Sequence, residues 1–267
     1  MKYWRKVGKE GGFGEVDVGR PERRDQAGRL LVVGGNDNAF YAVAGVAEKA
    51  KGMGIGEVRV LLPDSLKKKL PVNEEIIFAP SGGSGGFGKG AVQVALAAAE
   101  WSDYVLLAGD LGGNAETTVW AGEFVRELKK PILITRDSVD AVAGVAGEWL
   151  EKSDISLLLT LPQLQKVMRA VYYPKVITLL MPLNQLVEVL HKFTISYPVL
   201  IVIYHSGQVV VAKGGEVASV DIADTGCTPI SLWAGDLAVR MVGLSMWNPG
   251  KSFEVAVRAL IGYGGKY

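Results

Sequence analysis

One glycine-rich loop has a composition that suits phosphate binding. Residues 78–92 read FAPSGGSGGFGKGAV. A P-loop requires G-x-x-x-x-G-K followed by Ser or Thr, because its backbone N–H groups and lysine bind phosphates and its hydroxyl binds magnesium. Gly83 to Lys89 match this pattern, but Gly90 takes the place of the hydroxyl residue. The pattern therefore favours a flexible glycine loop at the end of a strand over an ATPase motif.

A glycine pair, Gly34 and Gly35, follows the first strongly apolar segment, within GGNDNAFYAVAG. This does not match the dinucleotide-binding fingerprint, which needs G-x-G-x-x-G and an acidic residue about 20 positions later. Glycines at the end of a strand still allow a ligand to approach the backbone closely. Asn36 and Asn38 are then either turn residues with unusual backbone angles or ligand contacts.

Apolar strands and helices must position these residues. From Arg29 the chain alternates between the two kinds of segment. Predicted strands are RLLVVGG, EVRVLLP, EEIIFAP, DYVLLAGD, PILITRD, ISLLLTLP and KVITLLM, and YPVLIVIYHSG with QVVVAKGGEVASV resembles a hairpin. Predicted helices are AFYAVAGVAEKAKGMG, GAVQVALAAAEW, AETTVWAGEFVRELKK, SVDAVAGVAGEWLEK, QLQKVMRAVYY, LNQLVEVLHKF, SLWAGDLAVRMVGLSMW and KSFEVAVRALIGYG.

Continuous Val/Ile/Leu runs alternating with helices indicate a mostly parallel sheet that is covered on both faces. We predict a single domain over residues 29–267, preceded by a polar N-terminal arm over residues 1–28. Ligands of such sheets bind beyond the carboxyl ends of the strands. Four segments lie there: Gly34–Asn38, Pro80–Lys89, Gly109–Asn114 and Asp137–Asp140. For Asp137 and Asp140, capping of the next helix is the favoured alternative to a ligand contact.

The composition excludes several classes of function. Almost half of the 267 residues are apolar and the formal net charge is +1, which gives no electrostatic reason to expect nucleic acid or an anionic membrane. No apolar run approaches the roughly 20 residues that span a bilayer. One cysteine, Cys227, and two histidines, His191 and His205, exclude a disulfide framework and a His/Cys zinc site. We expect a cytoplasmic protein without a bound structural metal.

Several segments, in the same order, resemble the ADP/ATP-dependent NAD(P)H-hydrate dehydratases of the ribokinase-like superfamily. The resemblance runs from residue 28 to residue 262. It is carried by GRLLVVGGN (28–36), GMGIGEVRV (52–60), AGDLGGNAET (108–117), PILITRDSVDA (131–141), ITLLMPLNQ (177–185) and SLWAGDLAV (231–239). It implies a ribokinase-like three-layer sandwich that binds ADP or ATP with Mg²⁺.

The resemblance also implies a reaction and a set of site residues. Members of this family are thought to phosphorylate the hydroxyl of hydrated NADH or NADPH, after which phosphate leaves and the ring double bond returns. Asp236 matches the catalytic base, and Gly235 matches the glycine of the anion hole. Ser231, Trp233 and Ala234 complete the nucleotide site. The substrate side comprises Gly34, Gly35, Asn36, Asn38, Asp110, Gly112 and Asp137. Small-molecule nucleotides are the expected partners, and a homo-oligomer is the expected assembly.

Two other functions remain open. The first is a small-molecule kinase of the same superfamily, which would share Asp236 and the anion hole. The second is a catalytically inactive nucleotide-binding or assembly module, favoured by the bulky Leu232 and Trp233 before the Gly235–Asp236 pair. In that case, the role of Asp236 is only to place a carboxylate at the positive end of a helix dipole. The glycine loop at Ser81–Gly90 is predicted to be a mobile lid that closes over the crevice.

Overall fold

A single ten-stranded sheet forms the centre of the chain over the residues that a computed structural model describes, 2–9, 11–71 and 73–262. The strands are β1 (Trp4–Val7), β2 (Arg29–Gly34), β3 (Glu57–Pro63), β4 (Ile76–Ala79), β5 (Tyr104–Gly109), β6 (Ile132–Thr135), β7 (Ile155–Leu159), β8 (Leu200–His205), β9 (Gln208–Lys213) and β10 (Glu216–Asp221). Their order is β1-β10-β9-β8-β7-β6-β5-β2-β3-β4. Only β9 is antiparallel to its neighbours among these strands.

Ten helices surround the sheet in the described residues. They are α1 (Glu15–Val18), α2 (Tyr41–Met53), α3 (Ala91–Trp101), α4 (Ala115–Glu127), α5 (Asp137–Ala143), α6 (Leu161–Ala170), α7 (Leu183–Ser196), α8 (Ile222–Thr225), α9 (Asp236–Trp247) and α10 (Ser252–Ile261). None of these helices has both the length and the apolar character needed to cross a membrane.

Two hydrophobic cores, one on each face of the sheet, make the fold a three-layer sandwich. Side chains alternate along a strand, so Leu30 and Val32 of β2 pack in one core and Leu31 and Val33 in the other. Helices α2, α9 and α10 cover the core that contains Leu30 and Val32. Helices α3 to α7 cover the opposite core. The predicted mostly parallel sheet with helices on both faces is confirmed.

The segment KVITLLM, predicted to be a strand, is irregular in the structure. Strand β7 already pairs with β6 and β8, so no sheet position is left for a strand between α6 and α7. Only Ile177 of this segment is buried, whereas Val176, Leu179 and Leu180 are exposed. The strand prediction was wrong because β propensity alone does not show which sheet positions are occupied.

Two other segments differ in extent from their predicted form. The helix predicted over SVDAVAGVAGEWLEK ends at Ala143, and a short 3₁₀ turn, Ala146–Glu148, follows. In the N-terminal arm, β1 adds to the sheet edge by pairing in parallel with β10, and Trp4 Nε1 donates a hydrogen bond to Ser219 Oγ at 3.0 Å. Part of the arm therefore lies against the sheet.

Candidate functional site

The direction of chain winding reverses between two adjacent strands, β2 and β5. From β2 the chain continues to β3 and β4 on one side, and β5 then begins the other half of the sheet. In open α/β sheets the ligand crevice lies at the carboxyl ends of such a strand pair. Gly34 ends β2, and Gly109 ends β5 beside it. We call the space beyond these two glycines the switch-point crevice.

Gly34 and Gly109 bring two backbones unusually close. A Cβ atom at Gly34 would lie 2.3 Å from the Gly109 carbonyl oxygen and 2.8 Å from Val43 Cγ2. The Gly35 N–H donates a hydrogen bond to the same carbonyl at 3.0 Å. Only glycine is compatible with position 34, and the loops after both strands therefore start from one point.

Asn36 connects these two loops. Its Nδ2 donates to the Asp110 carbonyl oxygen at 2.6 Å, and its Oδ1 accepts the Asn38 N–H at 2.8 Å. Gly112 lies close by, since a Cβ there would be 3.5 Å from Asn36 Nδ2. Asn36 is thus a turn residue that also holds the β5 loop, whereas the Asn38 side chain is exposed.

Asp110 and Arg136 form an ion pair across the ends of β5 and β6. Arg136 Nη2 lies 3.3 Å from Asp110 Oδ1, and the Ala42 N–H at the start of α2 donates to Asp110 Oδ2 at 2.7 Å. Both residues have positive φ angles, 57° at Asp110 and 58° at Arg136. Non-glycine residues in such strained conformations cluster at functional sites. This is the strained part of the crevice.

Asp137 holds the loop after β5. Its Oδ1 accepts the Asp110 N–H at 2.8 Å, and its Oδ2 accepts the Gly112 N–H at 3.0 Å. Helix α5 receives no side-chain cap from the residue at its N-cap, Arg136. Asp140 instead forms an ion pair with Lys166 and accepts a hydrogen bond from Gln163 Nε2. The expectation that both aspartates cap α5 was wrong, because their carboxylates reach neighbouring elements.

The turn before α9 contains the residues matched to the nucleotide site. Gly235 has φ 95°, and a Cβ there would lie 2.7 Å from Val46 Cγ2, so a side chain would be strained and crowded. Trp233 is partly buried against the core of α2 and α9, and Leu232 is fully buried. The Ser231 hydroxyl donates to the Thr228 carbonyl at 2.9 Å and accepts a hydrogen bond from the Thr228 N–H at 2.8 Å. This hydroxyl therefore stabilises the local turn from Thr228 to Ser231.

Asp236 is the first residue of α9, and its carboxylate is bound by Lys49 of α2. Lys49 Nζ lies 2.6 Å from Asp236 Oδ2 and 2.8 Å from the Ala234 carbonyl oxygen. Arg136 Nη1 contacts the preceding carbonyl, that of Trp233, at 3.4 Å. Two cations therefore bind consecutive carbonyls of the turn, and Arg136 connects this turn to the crevice.

Sequence reasoning missed Lys49 and Arg136. Lys49 lies within an alanine-rich helix with no local signal for a site. Arg136 stands directly after an apolar strand. The rule that ligands bind beyond the carboxyl ends of the strands, which we call the strand-end rule, would therefore have found it. Both partners are remote in sequence, so the pairing itself is visible only in the fold.

The glycine loop binds a carboxylate of the protein itself. The Lys89 N–H donates to Glu116 Oε1 at 3.4 Å, and a Cβ at Gly82 would lie 2.1 Å from Glu116 Oε2. Phe87 is fully buried and stacks on Trp120, with ring centroids 4.0 Å apart. This packing contradicts a mobile lid. The Glu116 carboxylate, an anion of the protein itself, lies against the loop backbone.

Cysteine and histidine chemistry is absent from the described part of the site. Burial raises the pKa of the Cys227 thiol, which disfavours a nucleophilic thiolate. His205 is buried, and its Nε2 lies 2.6 Å from the Met181 carbonyl oxygen. In the described residues, no three His, Cys, Asp or Glu side chains are grouped so as to hold a metal ion.

Known proteins resemble this chain in structure and not in sequence. No protein-family model and no curated protein matches it. A ribokinase-like superfamily protein from Enterococcus faecalis is 14% identical, with a TM-score of 0.69 over 98% of this chain and 87% of that one. The chain has the ribokinase-like fold.

Solved structures of enzymes share this fold with the chain. The ADP/ATP-dependent NAD(P)H-hydrate dehydratase from Bacillus subtilis, co-crystallized with ATP/Mg²⁺, is 14% identical, with a TM-score of 0.57 over 95% of this chain and 87% of that one. Bacillus subtilis pyridoxal kinase, in an ADP complex, is 12% identical, with a TM-score of 0.53 over 86% of this chain and 88% of that one. At these identities the likeness is one of fold alone.

Proposed function

We propose that this chain is a nucleotide-dependent dehydratase that repairs hydrated NADH or NADPH by phosphoryl transfer. The observation that carries the proposal is the position of Asp236. It is the first residue of α9, directly after the constrained Gly235, and the Arg136 side chain connects its turn to the switch-point crevice. In this proposal the Asp236 carboxylate accepts the proton of the substrate hydroxyl.

The N-terminus of α9 suits a phosphate-bearing nucleotide. No described side chain caps this helix at Gly235, so its first N–H groups are available to phosphate oxygens, and the helix dipole favours negative charge there. Bound ADP or ATP with Mg²⁺ would supply the phosphoryl group. Trp233 and Ala234 contribute backbone to this turn, whereas the Ser231 hydroxyl is engaged with Thr228.

Asp236 would accept the proton as the substrate hydroxyl oxygen bonds to the terminal phosphorus and the bond to the nucleotide oxygen breaks. Phosphate then leaves with the C–O bonding electrons, and loss of a ring proton restores the double bond. Lys49 holds the Asp236 carboxylate at 2.6 Å, and both side chains are more than one-third exposed. The pair therefore orients the base in a hydrated site, where its contribution to catalysis is positioning.

Two features keep the alternatives in view. The charged Asp110–Arg136 pair in the substrate crevice suits a small-molecule kinase with a polar substrate, and a pyridoxal kinase shares the fold. The Lys49–Asp236 ion pair suits an inactive nucleotide-binding module if Lys49 never releases the carboxylate. Both alternatives use the same turn, so only turnover and its product separate them.

The test measures nucleotide consumption with and without hydrated NADH, using ADP and ATP in separate reactions with Mg²⁺. The proposal expects consumption only with the hydrate, release of inorganic phosphate, and return of the absorbance of reduced nicotinamide. A stable phosphorylated product would instead identify a kinase. Calorimetric binding of nucleotide without turnover on any hydroxyl substrate would identify the inactive module.

We also propose a homo-oligomer. The irregular segment between α6 and α7 exposes four large apolar side chains, those of Tyr172, Val176, Leu179 and Leu180, the last at 95%. A cluster of this kind is typical of an interaction surface. Light scattering should give a mass above that of one chain, and Leu180→Ser should lower it. A wild-type mass of one chain would contradict the proposal.

A further inference from the structure

We propose that Arg136 is an anion-binding residue of the switch-point crevice, and that its guanidinium exchanges Asp110 for a phosphate group of the bound ligand. This extends the proposed function and rests on it only in that a phosphate-bearing molecule enters the crevice. The phosphate belongs either to the nucleotide or to the substrate, and both present the same oxygen atoms to a guanidinium.

The backbone of Arg136 is the first argument. Its φ of 58° and ψ of −142° fall in a region that glycine adopts easily and other residues rarely do. Its side chain also packs closely against Gly109, where an added Cβ would lie 3.0 Å from both Arg136 Cβ and Arg136 Nε. Glycine would relieve this strain at position 136. The presence of a long cationic side chain instead indicates that its charge is used.

The contacts of the guanidinium are the second argument. They measure 3.3 Å to Asp110 Oδ1 and 3.4 Å to the Trp233 carbonyl oxygen, whereas strong charge-assisted hydrogen bonds are about 2.7–2.9 Å long. The side chain keeps 37% of its surface exposed. A guanidinium has five N–H donors in a planar fork that matches phosphate geometry. Arg136 is therefore held loosely, at the point where the crevice meets the nucleotide turn.

The surroundings of Asp110 allow the exchange. Its other oxygen, Oδ2, accepts the Ala42 N–H at 2.7 Å, so the carboxylate keeps a partner at the start of α2 when Arg136 turns to a ligand. Lys49 is engaged with Asp236 and the Ala234 carbonyl. Of these two cations, Arg136 is the one that contacts both the turn, at the Trp233 carbonyl, and Asp110 of the crevice.

A simpler role for Arg136 would be to neutralise the nearly buried Asp110, whose side chain is 12% exposed. The two roles make opposite predictions for a double variant. If Arg136 only neutralises, then Arg136→Gln combined with Asp110→Asn should bind ligand as the wild type does. If Arg136 binds the ligand, the double variant should stay as weak as Arg136→Gln alone.

The experiment is calorimetric titration of the full chain with four probes, namely ADP with Mg²⁺, ATP with Mg²⁺, NADPH and inorganic pyrophosphate. We expect Arg136→Gln to weaken binding of at least one probe by about 10- to 100-fold, the effect of losing hydrogen bonds to a charged group. Arg136→Lys should weaken it less, because the charge remains but the fork is lost. Loss confined to ADP and ATP assigns the phosphate to the nucleotide, and loss confined to NADPH assigns it to the substrate.

Arg126→Gln is the matched control. Arg126 forms a comparable pair with Glu148 at 3.1 Å, but it lies in the last turn of α4, before β6 and not after it. This variant should bind every probe as the wild type does, and thermal melting should show that all variants fold.

The proposal is overturned if Arg136→Gln binds all probes with unchanged affinity, if the double variant recovers wild-type affinity, or if the wild type binds none of the probes. Binding that depends on Arg136 without consumption of nucleotide would support the role of Arg136 and contradict the proposed dehydratase. Dehydratase turnover that is unchanged in Arg136→Gln would support the proposed function and contradict the role of Arg136.

Discussion

The switch-point crevice and the glycine loop are both rich in glycine and both follow a strand, yet they differ in what occupies the space beside the glycines. In the loop, that space holds side chains of α4, with Glu116 Oε2 2.1 Å from a Cβ at Gly82 and Thr117 Oγ1 2.5 Å from one at Gly86. In the crevice, that space holds the ends of neighbouring strands: the Gly109 carbonyl oxygen lies 2.3 Å from a Cβ at Gly34, and the side chains of Asp137 and Arg136 lie 2.8 and 3.0 Å from a Cβ at Gly109. Glycine density therefore indicates close packing, and the contacts decide whether room for a ligand remains.

The two regions also treat charge differently. The Glu116 carboxylate accepts a hydrogen bond from the loop backbone, and the Phe87 ring of the loop stacks on Trp120. The crevice instead keeps part-exposed cations, Arg136 and Lys49, beside the carboxylates of Asp110 and Asp236. An exposed ion pair such as Lys49–Asp236 contributes little to stability, typically below about 1 kcal/mol. We therefore expect changes to this pair to affect ligand binding and turnover, and changes to the loop contacts to affect folding.

Asp236→Asn should have the largest effect on the crevice side of this comparison. Asparagine keeps the shape of aspartate but does not accept a proton, so turnover with hydrated NADH should fall about 10²- to 10⁴-fold. Nucleotide affinity measured by calorimetry should change little. Asp140→Asn is the control, because Asp140 is also paired with a lysine, Lys166, but lies outside the turn. An Asp236→Asn enzyme with most of its activity would show that the base is elsewhere.

Phe87→Ala should have the largest effect on the loop side. The ring is fully buried against Trp120, and removing such a side chain costs about 3–5 kcal/mol of unfolding free energy. Urea denaturation measures this loss. Val119→Ala, on the exposed side of α4, is the control and should change stability by less than about 0.5 kcal/mol. Nucleotide affinity below the unfolding transition should be preserved. A large loss of affinity in folded Phe87→Ala would mean that the loop takes part in binding.

The sequence allowed the sheet to be predicted better than the charge pairs. Apolar runs such as Leu30–Val33 indicate buried strands because each face of the sheet contacts a core. The strand-end rule likewise grouped Gly34, Asp110 and Asp137, which the structure brings together. Pairing of Arg136 with Asp110, or of Lys49 with Asp236, depends on side-chain reach between distant elements. Local patterns contain no information on that reach.

Gly34→Ala should show that crevice glycines are constrained by backbone. A methyl group would meet the Gly109 carbonyl oxygen and Val43, and overpacking of this kind costs about 1–3 kcal/mol. Gly83→Ala is the matched control within the loop, since a Cβ there has no atom within 4 Å. Urea denaturation of both variants should separate them clearly. Equal stability of the two variants would mean that Gly34 is no more constrained than Gly83.

A smaller effect concerns acid stability of the loop. The Ser81 hydroxyl donates to Asp64 and lowers the pKa of that carboxyl below its ordinary value of 3.8. A lowered folded-state pKa adds stability above that ordinary value, and the contribution disappears as pH falls through the folded-state value. Ser81→Ala should therefore be less stable than the wild type at neutral pH. Its free energy of unfolding should also fall less than that of the wild type on acidification. The control is Ser84→Ala, at an exposed loop position. Parallel pH profiles for wild type and Ser81→Ala would contradict this account.

Lys89→Ala should have the smallest effect. In a P-loop this lysine contacts the outer phosphates, and its loss would weaken nucleotide binding by about 10- to 100-fold. Here the Lys89 side chain is exposed and its backbone N–H is directed at Glu116, so the loop already contains an anion. Calorimetry should give nucleotide affinities within about twofold of wild type. A loss of nucleotide affinity of about tenfold or more in Lys89→Ala would mean that nucleotide displaces Glu116, and the glycine loop would then belong to the site.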